Sequence, residues 1–445
     1  MTMQVKPAQK IIRILRLRVL DKPGYLGKIA TLLGDLGANI GEISIAIQGP
    51  DFLVREISLQ IEDEAHLEDV VRGISKMSGV KLESVIDPVQ LVHEGGKVAV
   101  KSRVALDSLA EMRKIYTPGV AQICKLIEKD PSMSRRYTGI ANTVAIVTNG
   151  TAVLGLGSIG PVAGMPVMEG KSVLFAELVG ISAVPVLIDS TDSEEVVRTV
   201  KAIASTFGAI QLEDIAAPEC FAIEDRLNAE LPIPVLHDDQ HGTAVVVLAV
   251  LITIAHRTEM DLRSCRVGIV GLGAAGTGIA KMLLAFGVKE ILGTDLRVEA
   301  MQRLETLGGK TGTLINVMSQ ADVVVATTGS PGLIKPEMVR QGQIILALSN
   351  PDPEIDPELA LAHGALYAAD GKTINNALAF PGLFRGALSA GAIRFTDEMK
   401  IAAAQAIVGQ TKMDLLVPSI LDRDVHQAVA HAVERAAQFS QDFQN

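Results

Sequence analysis

Seven consecutive residues, His237-Asp238-Asp239-Gln240-His241-Gly242-Thr243, gather groups whose types and spacing could do chemistry. Asp238 and Asp239 end an apolar run (Ile233, Val235, Leu236) and precede a long uncharged segment, Ala244 to Ala255. A second acidic pair, Glu213-Asp214, closes another short run, Ala209-Ile210-Gln211-Leu212. Carboxylates are seldom left in apolar surroundings unless something cationic meets them. Neither stretch contains Arg or Lys, so convergence of the two pairs points to a hard divalent cation with oxygen ligands. The plainer alternative is two strand ends whose acids favour the N-termini of the helices that follow. His237 and His241 would share a face with Asp239 if the stretch were extended. An oxygen-preferring site leaves both histidines structural.

A second constellation lies further along. Arg266 to Val270 reads as a strand running into Gly271-Leu272-Gly273-Ala274-Ala275-Gly276. Helix positions Ile279, Ala280 and Met282 follow, then a strand, Glu290 to Thr294, that ends at Asp295. The glycine pattern alone is weak, but strand, glycines, helix, strand and an acid about 20 residues on form a dinucleotide fingerprint. Its glycines let backbone approach a pyrophosphate at a helix N-terminus, and Asp295 could accept from the adenosine ribose hydroxyls. An acid there favours NAD by repelling a 2′-phosphate, while Arg297 could pair with one and leaves NADP open. Later strands end at Thr327-Thr328-Gly329-Ser330 and Leu348-Ser349-Asn350-Pro351, and an open parallel sheet places ligands at such ends. Thr243, Thr328 and Gly329 join the cofactor candidates. Asn375-Asn376 forms a further polar loop.

Other elements must hold these groups in place. The 445 residues suffice for two or three domains with full cores. With 48% hydrophobic and 21% charged residues, the composition is that of a soluble globular enzyme. No tryptophan, four tyrosines and a formal charge of −10 argue against nucleic-acid binding. An anionic substrate would have to be drawn by a local cation. Three scattered cysteines, Cys124, Cys220 and Cys265, make neither a disulfide framework nor a zinc site, which points to the cytoplasm. The uncharged run Gly242 to Ala255 is too short to span a bilayer and reads as a buried helix. No apolar signal region opens the chain, and no membrane partner is expected.

The first 90 residues read in the order β-α-β-β-α-β, a ferredoxin-like unit. Their DKPGYLGKIA turn resembles that of an ACT domain over residues 9 to 88, which implies a small-molecule effector. After a glycine-containing linker at 93–97, a glycine-rich loop, Leu154 to Pro161, ends in Pro166-Val167-Met168-Glu169-Gly170-Lys171. Thr191-Asp192-Ser193-Glu194 opens a helix as a capping box. A terminal helix, Asp424 to Phe439, is read as packing only.

YTPGVA at 116–121, GLGSIGP at 155–161, PVMEGK at 166–171, LED at 212–214, HDDQHGTA at 237–244, GLGAAG at 271–276 and LSNP at 348–351 together resemble a bacterial malic enzyme. The resemblance covers about residues 91 to 440, with its motifs in the family's order. It implies an ACT domain at 1–90, a malic-enzyme α/β catalytic domain at 91–240 and a Rossmann-type doubly wound NAD(P) domain at 241–445. The implied reaction is oxidative decarboxylation of L-malate to pyruvate and CO2 with NAD, or NADP, and Mg2+ or Mn2+. By position Glu213, Asp214 and Asp239 would hold the metal, and Asp238 would orient the ion or Lys171. Lys171 would be the general base on the C2 hydroxyl and Tyr116 the general acid at C3. Asn350 and Asn376 would bind substrate or the nicotinamide ribose. A homodimer or higher homo-oligomer is expected.

The chemistry accounts for those residue types. Lysine and tyrosine ordinarily titrate near pH 10, so a metal, burial and a neighbouring ammonium are expected to lower both as a coupled pair. One departure is Thr151-Ala152, which stands where larger eukaryotic members carry a substrate-gripping arginine. The rival readings are a malolactic enzyme, making lactate with bound NAD, and a non-catalytic ACT/Rossmann ligand sensor.

Overall fold

The computed structural model describes residues 10–153 and 155–442, with side chains to residue 439. Residue 9, where the ACT resemblance begins, and Leu154 of the glycine loop lie outside the described residues. Two compact units divide the chain, Met1–Ala99 and Val100–Asn445.

In the first unit, β1 (Ile11–Leu20), β2 (Asn39–Gln48), β3 (Phe52–Ile61) and β4 (Val80–Ile86) form an antiparallel sheet in the order β2-β3-β1-β4. Alternation in β1 sends Leu15, Leu17 and Val19 into a core with Ile57, Leu59 and Ile61. Helices Tyr25–Asp35 and Glu64–Ser75 add Ile29, Leu33, Val70 and Ile74 to it. This is the expected ferredoxin-like arrangement.

In the second unit, β5 (Thr143–Thr148), β6 (Ser182–Leu187), β7 (Ala209–Leu212) and β8 (Val235–His237) make a parallel sheet in the order β6-β5-β7-β8. A second parallel sheet contains β9 (Arg266–Val270), β10 (Glu290–Thr294), β11 (Lys310–Thr311), β12 (Val323–Ala326), β13 (Ile344–Ala347) and β14 (Tyr367–Asp370). Its order, β11-β10-β9-β12-β13-β14, is that of a doubly wound dinucleotide fold. Helix Asp238–Thr258 is continuous across the position where the sequence reading divides 91–240 from 241–445. Ala244 to Leu251 are all buried, and their core takes in Val144 and Ile146 of β5 together with Val267 and Ile269 of β9. This helix has 21 residues, longer than the uncharged run, and by length and composition could cross a membrane; 72% of its most apolar window is buried in the fold.

Two local readings change. Pro161–Val179 is one long helix rather than a loop, with Pro161 at its first turn and Lys171 inside it. Asp192, not Thr191, caps helix Ser193–Ile203, its carboxylate accepting from Glu194 N at 2.9 Å. Helices Leu109–Ile115 and Val120–Lys129 bury none of their residues, although they carry Leu109, Met112, Ile115 and Leu126 at 38–70% exposure.

Candidate active site and metal centre

The C-terminal ends of β7 and β8 lie side by side, with Leu212 in register with His237. Each strand is followed at once by its acids, so adjacency in the sheet brings the two pairs together. Ligand oxygens of Glu213, Asp214 and Asp239 lie within 4.8 Å of one another. Asp214 has left-handed backbone (φ 54°), uncommon for a residue with a side chain. Three bonds hold that turn: Asp214 N donates to Asp239 Oδ2 (3.0 Å), Ala152 N to Asp214 O (2.9 Å), and Ala216 N to Thr151 Oγ1 (2.9 Å). Thr151-Ala152 therefore clasps the acidic turn, a role the sequence reading missed.

Lys171 comes in from the Pro161–Val179 helix, only 9% exposed. Its Nζ lies 2.5 Å from Asp238 Oδ2, 3.0 Å from Glu213 Oε1 and 4.4 Å from the centroid of the Phe380 ring. Asp238 is fully buried, and Gly242 makes room for it: a Cβ there would sit 1.9 Å from Asp238 Oδ1 and 3.2 Å from Asn376 Cβ. Asn376 thus borders the cluster.

Burial pushes Glu213 up to about 6 and Asp238 up to about 7, although Lys171 opposes both shifts. Asp214 and Asp239 are raised as well, by burial and by neighbouring carboxylates. For Lys171, burial alone would favour the neutral amine, but Asp238, Glu213 and Asp239 outweigh it and raise its pKa. The expected lowering included a cation among these acids; with the acids alone facing the amine, their pull holds the proton on it. Four carboxylates facing one ammonium leave an excess of negative charge. Asp214 Oδ2 is buried without a hydrogen-bond partner. An all-oxygen donor set with an unsatisfied buried acceptor suits Mg2+ or Mn2+.

Tyr116 stands outside this cluster. It caps the C-terminus of Leu109–Ile115 and is 69% exposed, whereas Lys171 is buried.

His237 and His241 are not on one face of an extended strand, because the helix begins at Asp238. One helical turn brings both toward Glu224, a buried acid on helix Glu219–Glu230 that the sequence reading overlooked. Burial would raise Glu224, but His241 and His237 outweigh it and hold it down to about 2. Burial lowers His237 to about 4 and leaves it neutral.

At the dinucleotide loop, Gly271 has φ 91°, and a Cβ there would meet Thr327 O at 2.7 Å. Gly273 caps the N-terminus of helix Ala274–Phe286 without a side-chain bond, leaving its N–H groups to a ligand. Gly276 lies against Gly271 O, where a Cβ would come within 1.9 Å. Asp295 Oδ2 accepts from Leu272 N at 2.7 Å, and its Oδ1 accepts from Arg297 N at 2.8 Å. This acid braces the loop as well as ending β10. Glu354, fully buried, accepts from Thr328 N (2.6 Å) and Ser349 Oγ (2.5 Å), while Ser349 Oγ accepts from Gly329 N at 2.8 Å. One buried acid thus ties Thr328-Gly329 to the Asn350 loop, and nothing in the sequence singled it out. Asn350 also approaches the glycine loop, its carbonyl 3.6 Å from a Cβ built on Gly155. Thr243, half-buried, follows Gly242 on the acid-bearing helix, and a Cβ on Gly278 would sit 2.4 Å from Gln240 O. The dinucleotide helix therefore packs directly on the turn that carries the acids.

Residues 96–196 and 190–228 match the family model described as "Malic enzyme, N-terminal domain". Residues 10–82 match "ACT domain", and 251–331 match "D-isomer specific 2-hydroxyacid dehydrogenase, NAD binding domain". NAD-dependent malic enzyme 1 of Bacillus subtilis (strain 168) is 52% identical over 432 residues, covering 97% of this chain and 98% of that protein. NAD-dependent malic enzyme of Geobacillus stearothermophilus is 42% identical over 92% of this chain and 91% of its own. The crystal structure of malic enzyme from Pyrococcus horikoshii Ot3 is 40% identical, with a TM-score of 0.74 over 78% of this chain and 88% of that one. With a malic-enzyme family model matched over most of its first parallel sheet and 52% identity to a malic enzyme along nearly its whole length, this chain belongs to the malic enzyme family.

Proposed function

We propose that this chain catalyses oxidative decarboxylation of L-malate to pyruvate and CO2 with NAD as the hydride acceptor. The observation that carries the reading is the position of Lys171 Nζ, 3.0 Å from Glu213 and 2.5 Å from Asp238, on the edge of a three-carboxylate cluster. A divalent cation bound to Glu213, Asp214 and Asp239 would supply a Lewis acid for the C2 oxygen. NAD on the loop Gly271, Leu272, Gly273, Ala274, Ala275 and Gly276, with Asp295, Thr243, Thr328 and Gly329 near it, would supply the hydride acceptor.

The chain's own groups move the protons. With the charge of three carboxylates neutralised, Asp238 is the remaining anion against Lys171, and burial then favours the neutral amine. Lys171 takes the proton from the C2 hydroxyl, with Asp238 holding the amine in place. Asn350 and Asn376 hydrogen-bond the substrate, and Tyr116, which one copy of the chain leaves exposed, is the group assigned to return a proton to C3 after CO2 leaves. Functionally the chain divides into 1–90, an effector-binding ACT domain, 91–240, which binds substrate and metal, and 241–445, which binds the dinucleotide. Its free cysteines suit a reducing cytoplasm.

A homo-oligomer completes this reading. Leu109–Ile115 and Val120–Lys129 bury no residue, and an apolar segment bearing Tyr116 needs a covering surface; a second copy of this chain provides it. Light scattering after size exclusion should give a dimer or larger, and Leu109→Glu with Leu126→Glu should shift it toward monomer. A monomeric wild-type protein would refute the assembly.

Steady-state assays with malate, NAD or NADP, with and without Mn2+, test the activity itself. Pyruvate and free NADH formed only with metal are the expected result, with NAD preferred over NADP. Lactate without free NADH would mean malolactic chemistry, and no turnover under any condition would leave a ligand sensor.

A further inference from the structure

We infer that Glu224 is a positioning residue for the cation site, setting metal affinity without touching the ion; this rests on the function proposed above. Glu224 sits on helix Glu219–Glu230, separate from the elements that carry the acids, and is only 5% exposed. Its Oε1 accepts from His237 N at 2.8 Å, and its Oε2 accepts from Gln240 Nε2 at 2.9 Å and His241 Nε2 at 3.1 Å. These three donors bracket Asp238 and Asp239 along the chain. A single carboxylate therefore fixes the β8-to-helix junction on both sides of the two acids.

The contact extends one step further. Gln240 Nε2 also reaches His237 Nδ1 at 3.2 Å. An amide N–H can only donate, so His237 Nδ1 is the acceptor and its proton resides on Nε2. That nitrogen lies 3.3 Å from Asp239 Oδ2, outside hydrogen-bond geometry. Asp239 Oδ2 is also the oxygen that accepts from Asp214 N. Glu224, Gln240 and His237 thus stand in series behind one face of Asp239, and Asp214 N holds the same oxygen. Oδ1 is left as the freer oxygen for a cation. Outer partners of this kind orient metal-binding groups, and losing one typically weakens metal binding about 10–100-fold.

Glu224→Gln keeps the size of the side chain but replaces one acceptor oxygen with an amide donor, which must then face His237 N or the Gln240 and His241 donors. The test titrates Mn2+ calorimetrically into metal-free, full-length protein and measures NAD affinity and thermal unfolding on the same samples. Mn2+ affinity should fall about 10–100-fold in Glu224→Gln, while NAD affinity is retained. A variant that melts earlier but binds Mn2+ as tightly as wild type would overturn the inference, since a purely structural role predicts that result. His241→Ala removes one donor and leaves the carboxylate, so it should shift Mn2+ affinity in the same direction; it decides the matter if Glu224→Gln fails to fold. Asp239→Asn is run in parallel. If that variant also binds Mn2+ normally, the cation site itself is misassigned; if it loses Mn2+ while the Glu224 and His241 variants do not, only the present inference falls.

Discussion

Replacing Lys171 with alanine should lower kcat for malate decarboxylation by about 10²–10⁴-fold, the range for losing a general acid or base, with NAD binding retained. The lysine is the cation placed between Asp238 and Glu213, and no second amine is within reach of either acid among the described residues. Its removal should also show in the folded protein. Deleting one partner of a buried ion pair costs about 3–5 kcal/mol when the other charge stays unpaired. Here the acids can take up protons instead. Burial already raises Glu213 to about 6 and Asp238 to about 7 with the lysine present. An acid whose pKa is raised by folding binds more protons in the folded state, so its contribution to stability falls as pH climbs toward the folded value. Lys171→Ala should therefore lose more thermal stability, relative to wild type, at pH 8 than at pH 5. Near-normal turnover in this variant would remove the lysine from the mechanism.

The second large effect is expected from Asp239→Ala. Asp239 offers a ligand oxygen to the cluster and, through Oδ2, holds Asp214 N at 3.0 Å. Its loss removes one of the three candidate ligands and loosens the left-handed turn that aims a second. Metal affinity should fall by more than the roughly 100-fold upper range for an outer partner. Activity at ordinary metal concentrations should vanish, and excess Mn2+ should restore little of it. Calorimetric titration of the metal-free variant beside a malate assay checks both. An unaltered Mn2+ isotherm would place the cation elsewhere.

Much of this arrangement could be read from residue order. The dinucleotide half was legible because its glycines, helix and Asp295 follow one another along the chain. The largely alternating apolar and arginine pattern of β1 likewise exposed the ACT core. The acid cluster was legible for another reason: both pairs follow parallel strands that turned out to be neighbours. What stayed hidden depended on contacts distant in sequence. Glu224 reads as an ordinary helical acid among Glu219, Asp225 and Glu230, and only folding buries it beneath His237 and His241. Glu354 is hidden in the same way by Pro351, Asp352 and Pro353, which read as loop. The long helix bearing Lys171 was masked by Gly164, Pro166 and Gly170, whose low helical preference is overridden once Met168 and Phe175 are buried. How many acids face the single amine of Lys171 was hidden too, because no motif shows which elements converge on it.

The most direct measurement is a Mn2+ titration of metal-free wild-type protein, repeated between pH 5 and pH 8. Glu213 sits at about 6, and Asp214 and Asp239 are raised by burial, so protons must leave before the acids can bind an ion. The account predicts a single ion per chain, bound more tightly as pH rises through 6, with protons released on binding and with onset of malate turnover at the same metal concentration. Mn2+ binding that ignores pH, or full malate turnover in the presence of a chelator, would contradict it.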